Sequence, residues 1–265
     1  TDAAEVTAAV SNKAPTSLAL SKSTIAEDAT SLDVGAVTTT DADDDTHSYT
    51  IAGGTDAASF SINETTGVLS LKAQPDFETQ PSYEVAVKTQ DAGGKAKVET
   101  FTVSVSDVDE APTLTVPTGG LVTEDAATST VTGSLAGSDP ENGTLTYLMP
   151  GQTAVDGSYT VTGTYGSLVL NASTGAYTYT LNNTATAVQA LGASSSETES
   201  FGVQLTDGSY TPTAQNLSFT INGANDAPSS ITLSSTDITE NSAGASVGAL
   251  SSSDAEGDSV SYSVA

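Results

Sequence analysis

The chain repeats itself. Asn12-Lys13-Ala14-Pro15, Asp109-Glu110-Ala111-Pro112 and Asn225-Asp226-Ala227-Pro228 are three versions of one segment. A glutamate follows each proline by twelve residues (Glu27, Glu124, Glu240), an aspartate follows that glutamate by 14 or 15 (Asp41, Asp139, Asp254), and a tyrosine follows the aspartate by eight (Tyr49, Tyr147, Tyr262). Asp91 and Asp207 each stand 21 residues before the next such proline, and Phe60 and Leu168 each precede a glycine, Gly67 or Gly175, by seven. A register kept through three copies means a modest unit built repeatedly, not one large core. It divides the chain into the end of a preceding repeat with its linker (1–15), a first unit (16–112), a second (113–228) and the start of a third (229–265).

Apolar residues alternate with polar ones inside each unit. Tyr83, Val85 and Val87 share a strand face, as do Phe101, Val103 and Val105, Tyr177, Tyr179 and Leu181, and Leu217, Phe219 and Ile221. Period two with Thr and Val enrichment predicts half-buried strands, broken by turn signals such as Ala52-Gly53-Gly54, Ala92-Gly93-Gly94 and Asn142-Gly143. Only residues 184–193 (TATAVQALGA) read as a turn or two of helix. About seven short strands per roughly 100 residues predict an all-β chain of tandem immunoglobulin-like β-sandwiches. Val6 and Ala8 fall in register with Val103 and Val105, so the opening residues read as a last strand. The third unit offers Ile231, Leu233, Val260, Tyr262 and Val264 with no second sheet to cover them.

Charge narrows the function. The 33 acidic residues face six lysines and no arginine, a formal net charge of -27, and no basic residue follows Lys97. A basic face for phosphate is missing, which excludes nucleic acid as a partner. Such self-repulsion asks for bound cations. The chain has no cysteine, so disulfides, thiolate nucleophiles and thiolate metal sites are all excluded. No apolar run approaches membrane-span length, so no membrane insertion is expected of this segment. Asp107, Asp109 and Glu110 crowd into four positions before Pro112. Calcium takes six to eight hard oxygens, and repelling carboxylates become its cage.

In the first unit, Glu27, the DAD at Asp41–Asp43, the DFE at Asp76–Glu78, Asp91 and the linker DVDEAP resemble the calcium-binding set of cadherin repeats. The second unit, with LAGSDPENGTLTY, LNASTGAYTYTLN, VQLTDG and NGANDAP, is similar to the VCBS-type repeat of giant bacterial surface adhesins of the RTX and biofilm type. The resemblance covers residues 12–228 and implies cadherin-like sandwiches joined by calcium-binding linkers. By carry-over, Glu27, Asp76 and Glu78 serve the central junction with Asp107, Asp109 and Glu110 of the linker and Asp139, Glu141 and Asp207 of the second unit, for two or three ions. At the upstream junction Val10, Asn12 and Lys13 replace the linker acids, leaving Asp41, Asp43 and Asp91. Downstream, Gly223, Asn225 and Asp226 form the linker, with Glu124, Asp254, Glu256 and Asp258 beside it. The second unit has no DxE, since Ser194 stands in that place, and Glu197 or Glu199 are the substitutes at hand.

The implied function is that of a calcium-rigidified extender in a large bacterial cell-surface adhesin: extracellular, monomeric, and in contact with neighbouring repeats in cis. Two alternatives are a carbohydrate- or protein-binding module, with a glycan or protein ligand on the target surface, and homophilic contact. Other readings fail on the residues. DADDD at 41–45 opens like an EF-hand loop, but Thr46 and Ala52 occupy the places of its glycine and final glutamate. His47, the only histidine, sits beside an acidic loop and reads as a surface residue rather than a triad base. Carboxylate pairs recur at unit ends instead of converging in one cleft, unlike a glycosidase. Asn63 and Asn171 open glycosylation triplets of a kind common in Ser- and Thr-rich chains. Tyr159, Tyr165 and Tyr210 are aromatic platforms for sugars or, more simply, core and edge residues. No enzyme is expected.

Overall fold

The computed structural model describes residues 11–43, 46–241 and 243–263. The expected opening strand with Val6 and Ala8, and also Val10, Asp44, Asp45 and Val264, lie outside the described residues. The chain forms two compact units, one ending at Asp109 and the other beginning at Glu110.

The first unit carries β1 (Ser17–Leu20), β2 (Thr24–Ala26), β3 (Asp33–Thr40), β4 (His47–Gly53), β5 (Phe60–Ile62), β6 (Val68–Leu71), β7 (Ser82–Asp91) and β8 (Ala96–Ser106). They build two four-stranded sheets, in the orders β1-β3-β6-β5 and β2-β8-β7-β4. All pairings are antiparallel except β2 with β8. Alternation decides the packing. Val85, Val87 and Val103 from one sheet join Val34, Val37, Leu69 and Leu71 from the other in a single buried cluster. Each such side chain contributes about 1.5–3 kcal/mol on leaving water.

The second unit repeats the plan with β9 (Thr113–Thr115), β10 (Gly120–Thr123), β11 (Thr130–Ser134), β12 (Ala136–Ser138), β13 (Thr146–Leu148), β14 (Ser158–Thr162), β15 (Gly166–Asn171), β16 (Ala176–Leu181), β17 (Ser196–Thr206) and β18 (Gln215–Asn222). Its sheets run β10-β18-β17-β13 and β11-β16-β15-β14, with β12 paired to β9. Again one pairing is parallel, β10 with β18. One turn of helix, α1 (Thr186–Gln189), lies in the segment expected to be helical. Aromatic rings fill the middle: Tyr179 stacks on Phe219 with centroids 4.3 Å apart. Tyr159 is buried and Tyr165 packs on the core's margin, while Tyr210 is exposed.

Two features tie local sequence to this architecture. Asn63 and Asn171 each accept two backbone N–H groups from the following residues through Oδ1, which sets an identical turn in the two units. Each turn closes on a left-handed glycine, Gly67 at φ +69° or Gly175 at φ +68°, and each glycine lies against the tyrosine of the repeat register, Tyr49 or Tyr147. The second feature is a buried carboxylate. Glu199 accepts the N–H groups of Thr164, Tyr165 and Gly166 and, at 2.7 Å, the hydroxyl of Tyr179. It is committed to the turn between β14 and β15, which removes it as a substitute for the missing DxE. Burial, and then Glu199, push the Tyr179 hydroxyl far above the ordinary tyrosine value.

Among the described residues beyond β18 stand β19 (Ser229–Leu233) and β20 (Leu250–Ser253), paired with each other. Every residue of β19 is exposed, Ile231 by 71%, and so is Tyr262, whereas Val260 is half-buried. A test of the shared turn is Gly175→Ala. The left-handed backbone alone costs about 1–2 kcal/mol for a non-glycine residue, and the new Cβ would lie 2.8 Å from the Tyr147 ring. Urea unfolding should show a loss of at least that size; an unchanged midpoint would refute the turn's role.

Candidate metal centre

The acids gather where strands end, at the poles of the sandwiches. One backbone contact recurs at three poles. The N–H two residues before each register proline donates to the second acid of the Asp-containing loop: Lys13 to Asp43, Glu110 to Glu141 at 3.0 Å, and Asp226 to Glu256 at 3.0 Å. The first acid of each loop accepts an N–H from farther along that loop: Asp41 from Asp43, Asp139 from Gly143, and Asp254 from Asp258. The repeat spacing read from sequence is therefore a repeated pole geometry.

The side chains around this common frame differ. In the second unit, Asp139 Oδ1 accepts from Gly143, Glu141 Oε1 from Glu110, and Asp207 Oδ1 from Ser209 and Tyr210. The other oxygen of each, Asp139 Oδ2, Glu141 Oε2 and Asp207 Oδ2, is buried without a hydrogen-bond partner. A buried carboxylate oxygen left unpaired is costly. Three in one loop set, within a unit that has no basic side chain, fit a hard cation by the chemistry of the donors.

The pole of the first unit that carries Asn12 and Lys13 holds the corresponding acids in another state. Asp41 Oδ2 lies 3.3 Å from His47 Nε2, Lys13 Nζ lies 3.5 Å from Asp43 Oδ1, and Asp91 accepts the Asn12 amide at 3.2 Å and the Lys95 N–H at 2.8 Å. The Asp43 N–H, then His47, hold the Asp41 carboxyl below its ordinary value. Sequence reasoning missed His47 and Lys95 here. His47 meets Asp41 from six residues along the chain and Lys95 meets Asp91 from four through its backbone N–H, while the contacts from remote residues are those of Lys13 with Asp43 and Asn12 with Asp91.

At the opposite end of the first unit, Glu27, Asp76 and Glu78 each place one carboxylate oxygen within 4.8 Å of the others. Glu27 is buried. Its Oε1 accepts Val108 N–H at 2.6 Å and its Oε2 accepts Phe77 N–H at 2.7 Å, tying the DFE loop and the outgoing linker to one side chain. Thr79, by hydroxyl and N–H, holds the Asp76 carboxyl below its ordinary value. Asp107 and Asp109 are exposed beside this end.

Glu124 is the counterpart of Glu27. It too follows the parallel strand, and its Oε2 accepts Ala224 N–H at 3.1 Å, two residues past β18 as Val108 is two past β8. In place of a DxE, the Gln189 amide donates to Glu124 Oε1 at 2.8 Å and to the Asn183 carbonyl, while Asn183 pairs with Asp125. Gln189, Asn183 and Asp125 carried no readable signal, because none of them falls on the repeat register. Burial raises the Glu124 carboxyl. Burial, and then the charge of Asp125, raise that of Asp226. Asp226 Oδ2 and Glu256 Oε2 are buried and unpartnered, while the amide of exposed Asn225 turns back to the Asp226 carbonyl.

Residues 21–106 match the cadherin domain and residues 109–223 the bacterial cadherin-like domain. The fold is similar to the extracellular cadherin domains 3-6 of Protocadherin Gamma B2, at 20% identity and a TM-score of 0.55, covering 90% of this chain and 56% of that one. It is also similar to human Protocadherin-24 EC1-2, form II, at 16% identity and a TM-score of 0.50, covering 79% of this chain and 99% of that one. These likenesses are of fold. Among the described residues no helix is long and apolar enough to cross a membrane.

Two substitutions separate structural from electrostatic roles, both read in chelator. Glu27→Gln turns an amide NH2 toward one of two backbone donors and should cost about 1–3 kcal/mol in urea unfolding, with no metal involved. Asp226→Asn should raise the melting temperature near neutral pH. A carboxyl whose folded pKa is raised costs nothing while protonated, and its cost grows as pH rises through that pKa. The gain should shrink as pH falls through the carboxylate range; a gain unchanged across that range would contradict the charge explanation.

Proposed function

We propose that this chain, which carries two cadherin-like domains in tandem within an all-β fold, is a calcium-rigidified extender segment of a large bacterial cell-surface adhesin. The observation that carries the reading is the trio of buried, unpartnered oxygens on Asp139, Glu141 and Asp207 in a unit without a lysine, arginine or histidine. Those three acids, with Glu110, would hold calcium at the second unit's pole. Glu27, Asp76, Glu78, Asp107 and Asp109 would do so at the far end of the first unit, and Asp226, Asp254 and Glu256 with Glu124 at the far end of the second. Repeat boundaries at 15, 112 and 228 accompany this reading, as does an extracellular location. The VCBS and RTX context rests on the motifs quoted above.

The chain's own contribution is placement. At the second unit's pole, backbone N–H donors fix one oxygen each of Asp139, Glu141 and Asp207, and the other is left to face the cation that neutralises the cluster when bound. Binding restricted to the folded, ordered pole stabilises it by RT ln(1 + [Ca]/Kd), about 2.7 kcal/mol per site at 100 times Kd. Millimolar calcium should therefore raise the melting temperature by several degrees and narrow the spread of shapes in small-angle scattering. Magnesium, smaller and reluctant to dehydrate, should do much less. Asp207→Asn should remove much of the calcium-induced shift. Equal melting and scattering in calcium and in chelator would overturn the proposal, and binding on a glycan array would favour a ligand-binding module instead.

A further inference from the structure

The two DxD-type poles, one at the start of each sandwich, can be compared atom by atom because the repeat register aligns them. Asp41, Asp43 and Asp91 correspond to Asp139, Glu141 and Asp207. In the second unit each of these acids has one buried oxygen with no partner. In the first unit all six carboxylate oxygens have one. Asp41 takes the Asp43 N–H and His47; Asp43 takes the N–H and the ammonium of Lys13; Asp91 takes the Lys95 N–H and the Asn12 amide.

The difference lies in three register positions. Lys13 stands where the second unit has Glu110, His47 where it has Leu145, and Lys95 where it has Thr211. Lys95 Nζ also donates to the Asn12 carbonyl at 2.6 Å, so a second ammonium sits on the linker backbone at this pole. In one unit the Lys13 ammonium meets Asp43 and the His47 imidazole meets Asp41, while Lys95 meets Asp91 by its backbone N–H alone and sends its ammonium to the linker carbonyl; in the other unit no basic side chain meets any of the three acids. Four of the six lysines, Lys22, Lys72, Lys88 and Lys97, take no part in these contacts, so Lys13 and Lys95 are singled out by position rather than by abundance.

We infer that the first unit's upstream pole is a self-neutralised copy of the metal site, in which Lys13 and Lys95 supply the charge that a divalent cation supplies to the second unit. The tethered Lys13 ammonium reaches Asp43 at high local concentration and the Lys95 ammonium occupies the linker carbonyl of Asn12, so both compete with a free ion for oxygens at this pole. This pole stays ordered in the absence of calcium, and the chain alternates an ion-independent end with ion-dependent ones. The inference deepens the calcium reading and rests on it for the second unit only.

The experiment uses the whole chain and calcium alone. Calorimetric titration should show Lys13→Glu/Lys95→Thr, which restores the residues found in the second unit, binding at least one calcium ion more per chain than the unaltered protein. In the unaltered chain, hydrogen exchange should quicken on chelation at the amides of Gly143, Ser209 and Tyr210, about tenfold if calcium had been present at some ten times Kd. The amides of Asp43 and Lys95 should not change. An unaltered ion count in a folded variant, or equal calcium sensitivity of exchange at the two poles, would overturn the inference while leaving calcium binding itself intact. If the variant does not fold, the exchange comparison decides alone. Calcium bound by the variant but not by the unaltered chain would support the inference and sink the proposed function.

Discussion

A single backbone hydrogen bond organises the poles of this protein: the N–H two residues before a proline, given to the second acid of an Asp-containing loop. It occurs from Lys13, Glu110 and Asp226. Because the donor is main chain, the bond does not depend on the residue that supplies it, and the same frame forms around a lysine, a glutamate or an aspartate. The side chain is then free to set the charge. One geometry serves a pole closed by protein cations and poles whose carboxylate oxygens are left buried and unpaired.

The opposite ends follow the same economy. Glu27 and Glu124 each sit just past the one parallel strand of their unit and accept the N–H two residues beyond its partner. Both oxygens of each are held, those of Glu27 by two backbone N–H groups and those of Glu124 by one backbone N–H and the Gln189 amide, and lone pairs remain for a ligand. The acids are concentrated at the ends of each sandwich, whereas the sheets between them form an ordinary apolar core.

Much of this was legible beforehand because it rests on short periods. Alternation along Val85 and Val87 or Leu217, Phe219 and Ile221 shows which face is buried, since a strand turns successive side chains to opposite sides. The register of prolines, acids and tyrosines survives as pole, loop and turn, and Asn63 and Asn171, which look like glycosylation triplets, are turn formers. What stayed hidden depends on pairings between distant strands. Nothing near Glu199 in the chain announces that it will take three N–H groups of residues 164–166 and the Tyr179 hydroxyl. Gln189 meets Glu124 across 65 residues.

The amino-acid sequence by itself determined the fold class and which strand faces are buried, because hydrophobic period acts locally and recurs. Only the tertiary structure decided which oxygens of the pole acids are paired. That outcome turns on Lys13 reaching Asp43 across 30 residues and on Asn12 reaching Asp91 across 79. Electrostatic neutralisation acts through space over a few ångströms, and chain separation carries no information about it until the sheets have closed.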